Sequence, residues 1–146
     1  MSRALLIGPL ALAVAAAAPA ASKSDPEATV KSFHAALQAG DAKAAADLLA
    51  DDALIFEEGG AERSKAEYAA RHLSADIAFA KAVPAQVTRR SGHVAGDLGW
   101  VVTEGRLTGT YKDKAIDRAT TETMILRRVG SEWKIVHIHW SSAAAQ

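Results

Sequence analysis

Three groups of side chains have the types and spacing to do chemistry. The first is in Trp133-Lys134-Ile135-Val136-His137-Ile138-His139-Trp140-Ser141-Ser142. Successive side chains of a strand point to opposite faces, so Trp133, Ile135, His137 and His139 share one face of this segment. Lys134, Val136, Ile138 and Trp140 share the other. Two imidazoles on one strand face can supply two metal ligands, and histidine is the usual proton acceptor near neutral pH. No third metal ligand is identified by spacing, and a hydrogen-bonded place at an interface is the plainer role. The second group is Glu104 and Arg106, same-face neighbours about 7 Å apart along a strand. They can form a structural ion pair, or anchor a ligand and move a proton. The third is Glu122, two residues before Met124 on its strand face.

These residues need elements to hold them. Ser24-Asp25-Pro26-Glu27 and Ser64-Lys65-Ala66-Glu67 read as capping boxes that start helices. The first helix carries Val30, Phe33 and Leu37 at helical spacing and ends at Gly40. Asp41 caps a short second helix stopped by Asp51-Asp52, and Ala53-Leu54-Ile55-Phe56 reads as a strand. The third helix runs to about Ala75. From Val83 the period changes from helical to alternating. Strands are expected over Val83–Val94, Gly99–Tyr111, Ile116–Arg128 and Trp133–Ser142, joined by turns. Helices first and a meander afterwards indicate an α+β fold with helices covering one sheet face.

The chain has 146 residues, no Cys and a formal net charge of zero. It lacks the basic field that nucleic acid requires. Arg3 followed by the uncharged run Ala4–Ala21 and Ala18-Pro19-Ala20 describes a secretory signal peptide cut after residue 20. The expected organisation is a signal peptide over 1–20, a polar lead-in over 21–25, one domain over 26–142 and a tail over 143–146. The mature protein is then exported, periplasmic or secreted, with no stable membrane anchor.

The order of elements, together with particular residues, resembles the nuclear transport factor 2-like (NTF2-like) superfamily. Its closest flavours are the SnoaL-like and DUF4440 proteins and the association domain of calmodulin-dependent protein kinase II. The matching residues are Gly40-Asp41, Leu48-Leu49-Ala50-Asp51-Asp52, Ser64-Lys65, Glu122-Thr123, Arg127-Arg128 and Trp133-x-Ile135-Val136-His137-x-His139-x-Ser141. The resemblance spans about residues 26 to 142. It implies three N-terminal helices packed in a curved, mainly antiparallel sheet, a cone with a pocket at its wide end. It also implies a homodimer through the outer sheet face.

The kinase association domain has three pocket arginines. The resemblance places Arg106 in the pocket and puts Met124 and Trp140 where the other two stand. It turns Glu104, Glu122, Val136 and Ile138 inward with them. Trp133, Ile135, His137 and His139 then face the dimer partner. The resulting ligand site is Arg106, Glu104, Met124, Ile138, Trp140 and Trp100, with Phe56, Tyr68 and Phe33 on the apolar wall. Glu104 and Glu122 are the candidate acid–base residues, and no metal or cofactor is expected.

The leading expectation is an exported module binding a small, largely apolar molecule. The alternatives are an isomerase, cyclase or dehydratase working by acid–base chemistry without cofactor, and a structural dimer with a filled cone; whether the protein is an enzyme stays open. An open cavity holding Glu104 and Arg106 would favour the first two. A cone plugged by Trp100, Met124 and Trp140 would favour the last.

Overall fold

A computed structural model describes residues 25–146. The expected signal peptide and most of the lead-in lie outside the described residues. The element order is α1 (Pro26–Ala39), α2 (Ala42–Asp47), β1 (Leu49–Glu57), β2 (Gly60–Glu62), α3 (Lys65–Arg71), α4 (Leu73–Ala82), β3 (Ala85–Ala95), β4 (Leu98–Tyr111), β5 (Lys114–Val129) and β6 (Glu132–Ala144). One six-stranded sheet has the order β2-β1-β6-β5-β4-β3. All neighbours are antiparallel except β1 and β6.

Local chemistry explains the helix ends. The Asp25 side chain accepts the Ala28 N–H at 2.6 Å, and Gly40 closes α1 at φ 80°. Ser64 Oγ accepts the Glu67 N–H, and Glu67 reaches back to the Arg63 N–H, so the second capping box forms one residue wide of its ideal register. Two expectations about elements are corrected. Asp51-Asp52 does not stop α2; the helix ends at Asp47 with Leu48 as its C-cap, and both aspartates lie within β1. The third helix ends at Arg71 rather than near Ala75, and a fourth, α4, follows it, with Phe79 packed edge-on to Tyr111.

The helices fill the concave face of the sheet. Val30, Phe33 and Leu37 of α1 meet Ile55, Tyr68, Val101, Met124, Leu126, Ile135 and Ile138, all buried. Two irregularities decide which side chains point inward. In β6, Ile125 pairs with His137 while the adjacent Leu126 pairs with Ile135, so Val136 is an extra residue. Such a bulge reverses the alternation beyond it. Trp133 and Ile135 therefore face the core before Val136, and Ile138 and Trp140 face it afterwards. In β3 a similar shift falls at Thr88, between Val87 and Arg89.

Candidate functional site

A polar row crosses the concave face at right angles to the strands. Its residues are direct cross-strand partners: Glu57 of β1 with Trp140 of β6, Trp140 with Glu122 of β5, Glu122 with Thr103 of β4, and Thr103 with Arg90 of β3. Trp140 Nε1–H donates to Glu122 Oε2 at 2.8 Å. His34 Nε2, from α1, reaches the same oxygen at 2.8 Å. Arg90 Nε–H donates to Thr103 Oγ1 at 3.1 Å. His34 lies on α1 one residue after buried Phe33, which stacks on Trp140 with ring centroids 6.5 Å apart.

Glu122 is only 7% exposed. Burial pushes its carboxyl up, but the His34 hydrogen bond and charge, with help from Trp140 and Thr103, outweigh burial and hold it below the usual range. It is therefore ionised at neutral pH. Oε2 carries the His34 and Trp140 contacts, whereas Oε1 is buried with no hydrogen-bond partner of normal length among the described residues.

At the other end of the row Glu57 is at the rim, and its carboxyl is pushed up to about 7. Partial burial is the main cause, and the charges of Asp76, Glu58 and Glu62 add to it. Behind it stands a second network. Tyr68 O–H donates to Asp76 Oδ2 at 2.7 Å, and His72 Nδ1 contacts the buried Glu62 carboxylate. Burial raises Asp76, with Glu62 adding and Tyr68 and His72 opposing. Burial and the Asp76 charge push the Tyr68 hydroxyl well up.

The structure thus brings Glu122, Met124, Ile138, Trp140 and Phe33 to the concave face. Tyr68 joins them there fully buried, as core and as a donor to Asp76. Other expected placements are corrected. Glu104, Arg106 and Trp100 lie on the outer face, because inward positions of β4 are Gly99, Val101, Thr103 and Gly105. Arg106 holds Asp117 there with two 2.7 Å hydrogen bonds, and Glu104 lies 3.9 Å from Arg89. Phe56 is also on the outer face, edge-on to His137 at 5.1 Å. Trp133 and Ile135 are core, not outer-face, residues, the consequence of the Val136 bulge. His137 and His139 face outward as expected, and His137 Nδ1–H donates to the Leu54 carbonyl at 3.0 Å. No third ligand-type side chain joins them among the described residues.

Sequence reasoning missed Glu57, His34 as a partner of Glu122, and the Tyr68–Asp76 and His72–Glu62 contacts. Parity from the buried Ile55 would have turned Glu57 inward. The others arise between elements and leave no local pattern.

The cone interior is filled by Phe33, Tyr68, Met124 and Ile138. Open depressions among the described residues lie at the sheet's rim and surface. One of ≈ 650 Å³ is lined by charged pairs such as Lys65–Asp51 and Arg127–Asp52. Another, of ≈ 290 Å³, lies beside Phe56, Glu57 and His139. The polar row is therefore reached at the mouth, against Trp140, and not from a deep chamber.

A curved sheet wrapped around helices, with a polar row on its concave face, defines an NTF2-like fold. Within that class the chain belongs to the SnoaL-like domain family, which matches residues 27–145. A candidate ketosteroid isomerase from Shewanella frigidimarina is 38% identical, with TM-score 0.74, covering 77% of this chain and 91% of that one. A candidate dehydratase of the NTF2-like family from Streptomyces avermitilis is 19% identical, with TM-score 0.68, covering 80% and 92%. A candidate calcium/calmodulin-dependent protein kinase type II association domain from Thiobacillus denitrificans is 21% identical, with TM-score 0.67, covering 81% and 94%. The latter two share the fold. No curated protein matches the chain.

Proposed function

We propose that this SnoaL-like protein binds a small, largely apolar molecule at the concave mouth and moves a proton on it, as an isomerase or dehydratase does. One observation carries this reading. Glu57 and Glu122 flank Trp140 on one row, their backbones about 10 Å apart, and their environments drive them in opposite directions. Glu57 is raised to about 7 and Glu122 is lowered. Carboxylates separated in this way divide the roles of acid and base between them.

Glu57 is the group that takes and returns the proton, because near neutral pH both of its forms are populated. Glu122 stays ionised and fixes His34 through Nε2. The imidazole then presents Nδ1 to a substrate oxygen and, when protonated, donates to the negative charge that develops on it. Trp140 supplies the apolar platform between the two. The matching reaction class is proton abstraction next to a carbonyl followed by reprotonation elsewhere or loss of water. The 38% identity to a candidate ketosteroid isomerase supports the same class.

The experiment is solvent deuterium exchange, read by NMR, into β,γ-unsaturated ketones of graded size, both neutral and bearing a carboxylate. Exchange should be lost in Glu57→Gln and strongly reduced in Glu122→Gln. Exchange that survives both substitutions, or is absent with every ketone, counts against the reading; retention without exchange would leave a binding module.

Dimerisation and export accompany this proposal. Leu54, Phe56, Trp100, Val102 and Ile125 are 37–43% exposed and form an apolar band with His137 and His139 on the outer face. A second copy is the occupant we assign to that band.

A further inference from the structure

We propose that Arg118 binds the carboxylate of a small organic acid whose apolar body lies against Trp140, so that the substrate of the acid–base site is anionic. This rests on the reading above and names the substrate class. It comes from sorting the arginines. Arg71, Arg89, Arg106, Arg127 and Arg128 each face a carboxylate: Glu67, Glu104, Asp117, Asp52 and Asp97. Arg63 is in the exposed turn before α3. Arg90 donates to the Thr103 hydroxyl, which in turn supports Glu122, so its charge is linked to an acid through one hydroxyl.

Arg118 is half-buried on the concave face, as Arg90 is, but among the described residues its partners are neutral groups with no link to a carboxylate. Its Nε–H donates to Ser142 Oγ at 2.8 Å and its Nη2–H to the Ser142 carbonyl at 3.1 Å. Its neighbour Asp117 points to the opposite face, where Arg106 holds it. The residues before Asp25 contain no Asp or Glu that could serve instead. A half-buried guanidinium with no adjacent counter-charge is open to a carboxylate, which would make the charge-assisted hydrogen bond that Ser142 does not. Ser142 fixes the fork and leaves Nη1 free to donate, which suits one carboxylate.

Placement supports the same ligand. Arg118, Thr120 and Glu122 are successive inward positions of β5, and Ser142 and Trp140 are successive inward positions of β6. Arg118 is about 13 Å along the strand from Glu122. That span fits a molecule with its carboxylate at Arg118 and its reacting carbon beside Trp140, away from the negative charge of Glu122. An arginine thus serves the mouth from a position other than the three that the kinase association domain uses.

The test compares 3-phenylpropionate with its neutral analogue 3-phenylpropanamide, using NMR of the tryptophan indole N–H groups of the full protein. The acid should bind at least about tenfold more tightly than the amide. The Trp140 resonance, identified with Trp140→Phe, should move, while those of Trp100 and Trp133 stay. Arg118→Gln should bring the acid to the affinity of the amide and leave the amide unchanged; Arg118→Lys should keep part of the preference. Equal affinities, no acid binding at millimolar concentration, or a preference that survives Arg118→Gln would each overturn the proposal. The acid-against-amide comparison on the unaltered protein decides even if Arg118→Gln folds poorly. Glu57→Gln should keep the preference while losing deuterium exchange, so the two readings fail separately.

Discussion

Replacing Glu57 by Gln should stabilise the protein, and only above about pH 5. The carboxyl is raised from 4.5 to about 7 in the folded chain. Its protonated form is favoured on folding, so its contribution is fully present below pH 4.5 and is lost as pH rises through 7. Each pKa unit corresponds to about 1.4 kcal/mol, which sets a ceiling of about 3.4 kcal/mol. Glu57 lies at the rim, where solvent screens it, so about 1–2 kcal/mol is the working figure. Gln keeps the size and removes the charge. Urea unfolding of both proteins at pH 4 and pH 8 measures the effect. The two should be nearly equal at pH 4, and Glu57→Gln should be more stable by about 1–2 kcal/mol at pH 8. In thermal unfolding that is a gain of several degrees. An NMR titration should place the Glu57 midpoint near 7. A stability difference that does not change with pH would refute the assigned environment, and with it the assignment of Glu57 as proton carrier.

Three further outcomes follow from the same geometry. Glu122→Gln should cost about 1.5–3 kcal/mol at pH 7, the worth of hydrogen bonds to a charged group, and because the carboxyl is lowered on folding the deficit should shrink as pH falls below 4.5; chemical denaturation at several pH values reads this. Deleting Val136 should remove the bulge and turn either Trp133 and Ile135 or Ile138 and Trp140 out of the core, so the variant should fail to give a cooperative unfolding transition by circular dichroism. Trp100→Asp, in the β4 part of the exposed outer band, should convert a dimer to a monomer in light scattering with little change in monomer stability; a dimer that persists would move the interface elsewhere.

Most elements were readable because their signals are local. Ser64 and Glu67 start α3, Gly40 ends α1, and Lys112-Asp113 makes the β4–β5 turn with positive φ at both residues. The alternation from Val83 onward gave four strands whose ends moved by two residues or fewer. Facing was less readable. A single extra residue at Val136 makes one strand serve two parities, and nothing in Ile135-Val136-His137 marks it. For β4, alternation in Trp100, Val102, Glu104 and Arg106 fixed which residues share a face but not which face is concave. The small inward partners Gly99 and Gly105 were the missed cue. A Cβ at Gly99 would lie 2.8 Å from Pro26, and one at Gly105 would lie 2.9 Å from the Gln86 carbonyl. Helix and strand edge press closest where a side chain is absent. The site itself depends on contacts such as His34 to Glu122, 88 residues apart in the chain, which no periodicity encodes.

The position of β6 bears on how the protein is made. It is the last strand of the domain to leave the ribosome, yet it lies between β1 and β5 and alone joins the β1–β2 hairpin to the meander. Until its residues emerge, β1 has only a three-residue partner, and Ile135 and Ile138 are missing from the core. Nascent chains held before Trp133 should therefore remain open to protease from α1 to β2. On this topology the core closes only when the last strand is in place between β1 and β5.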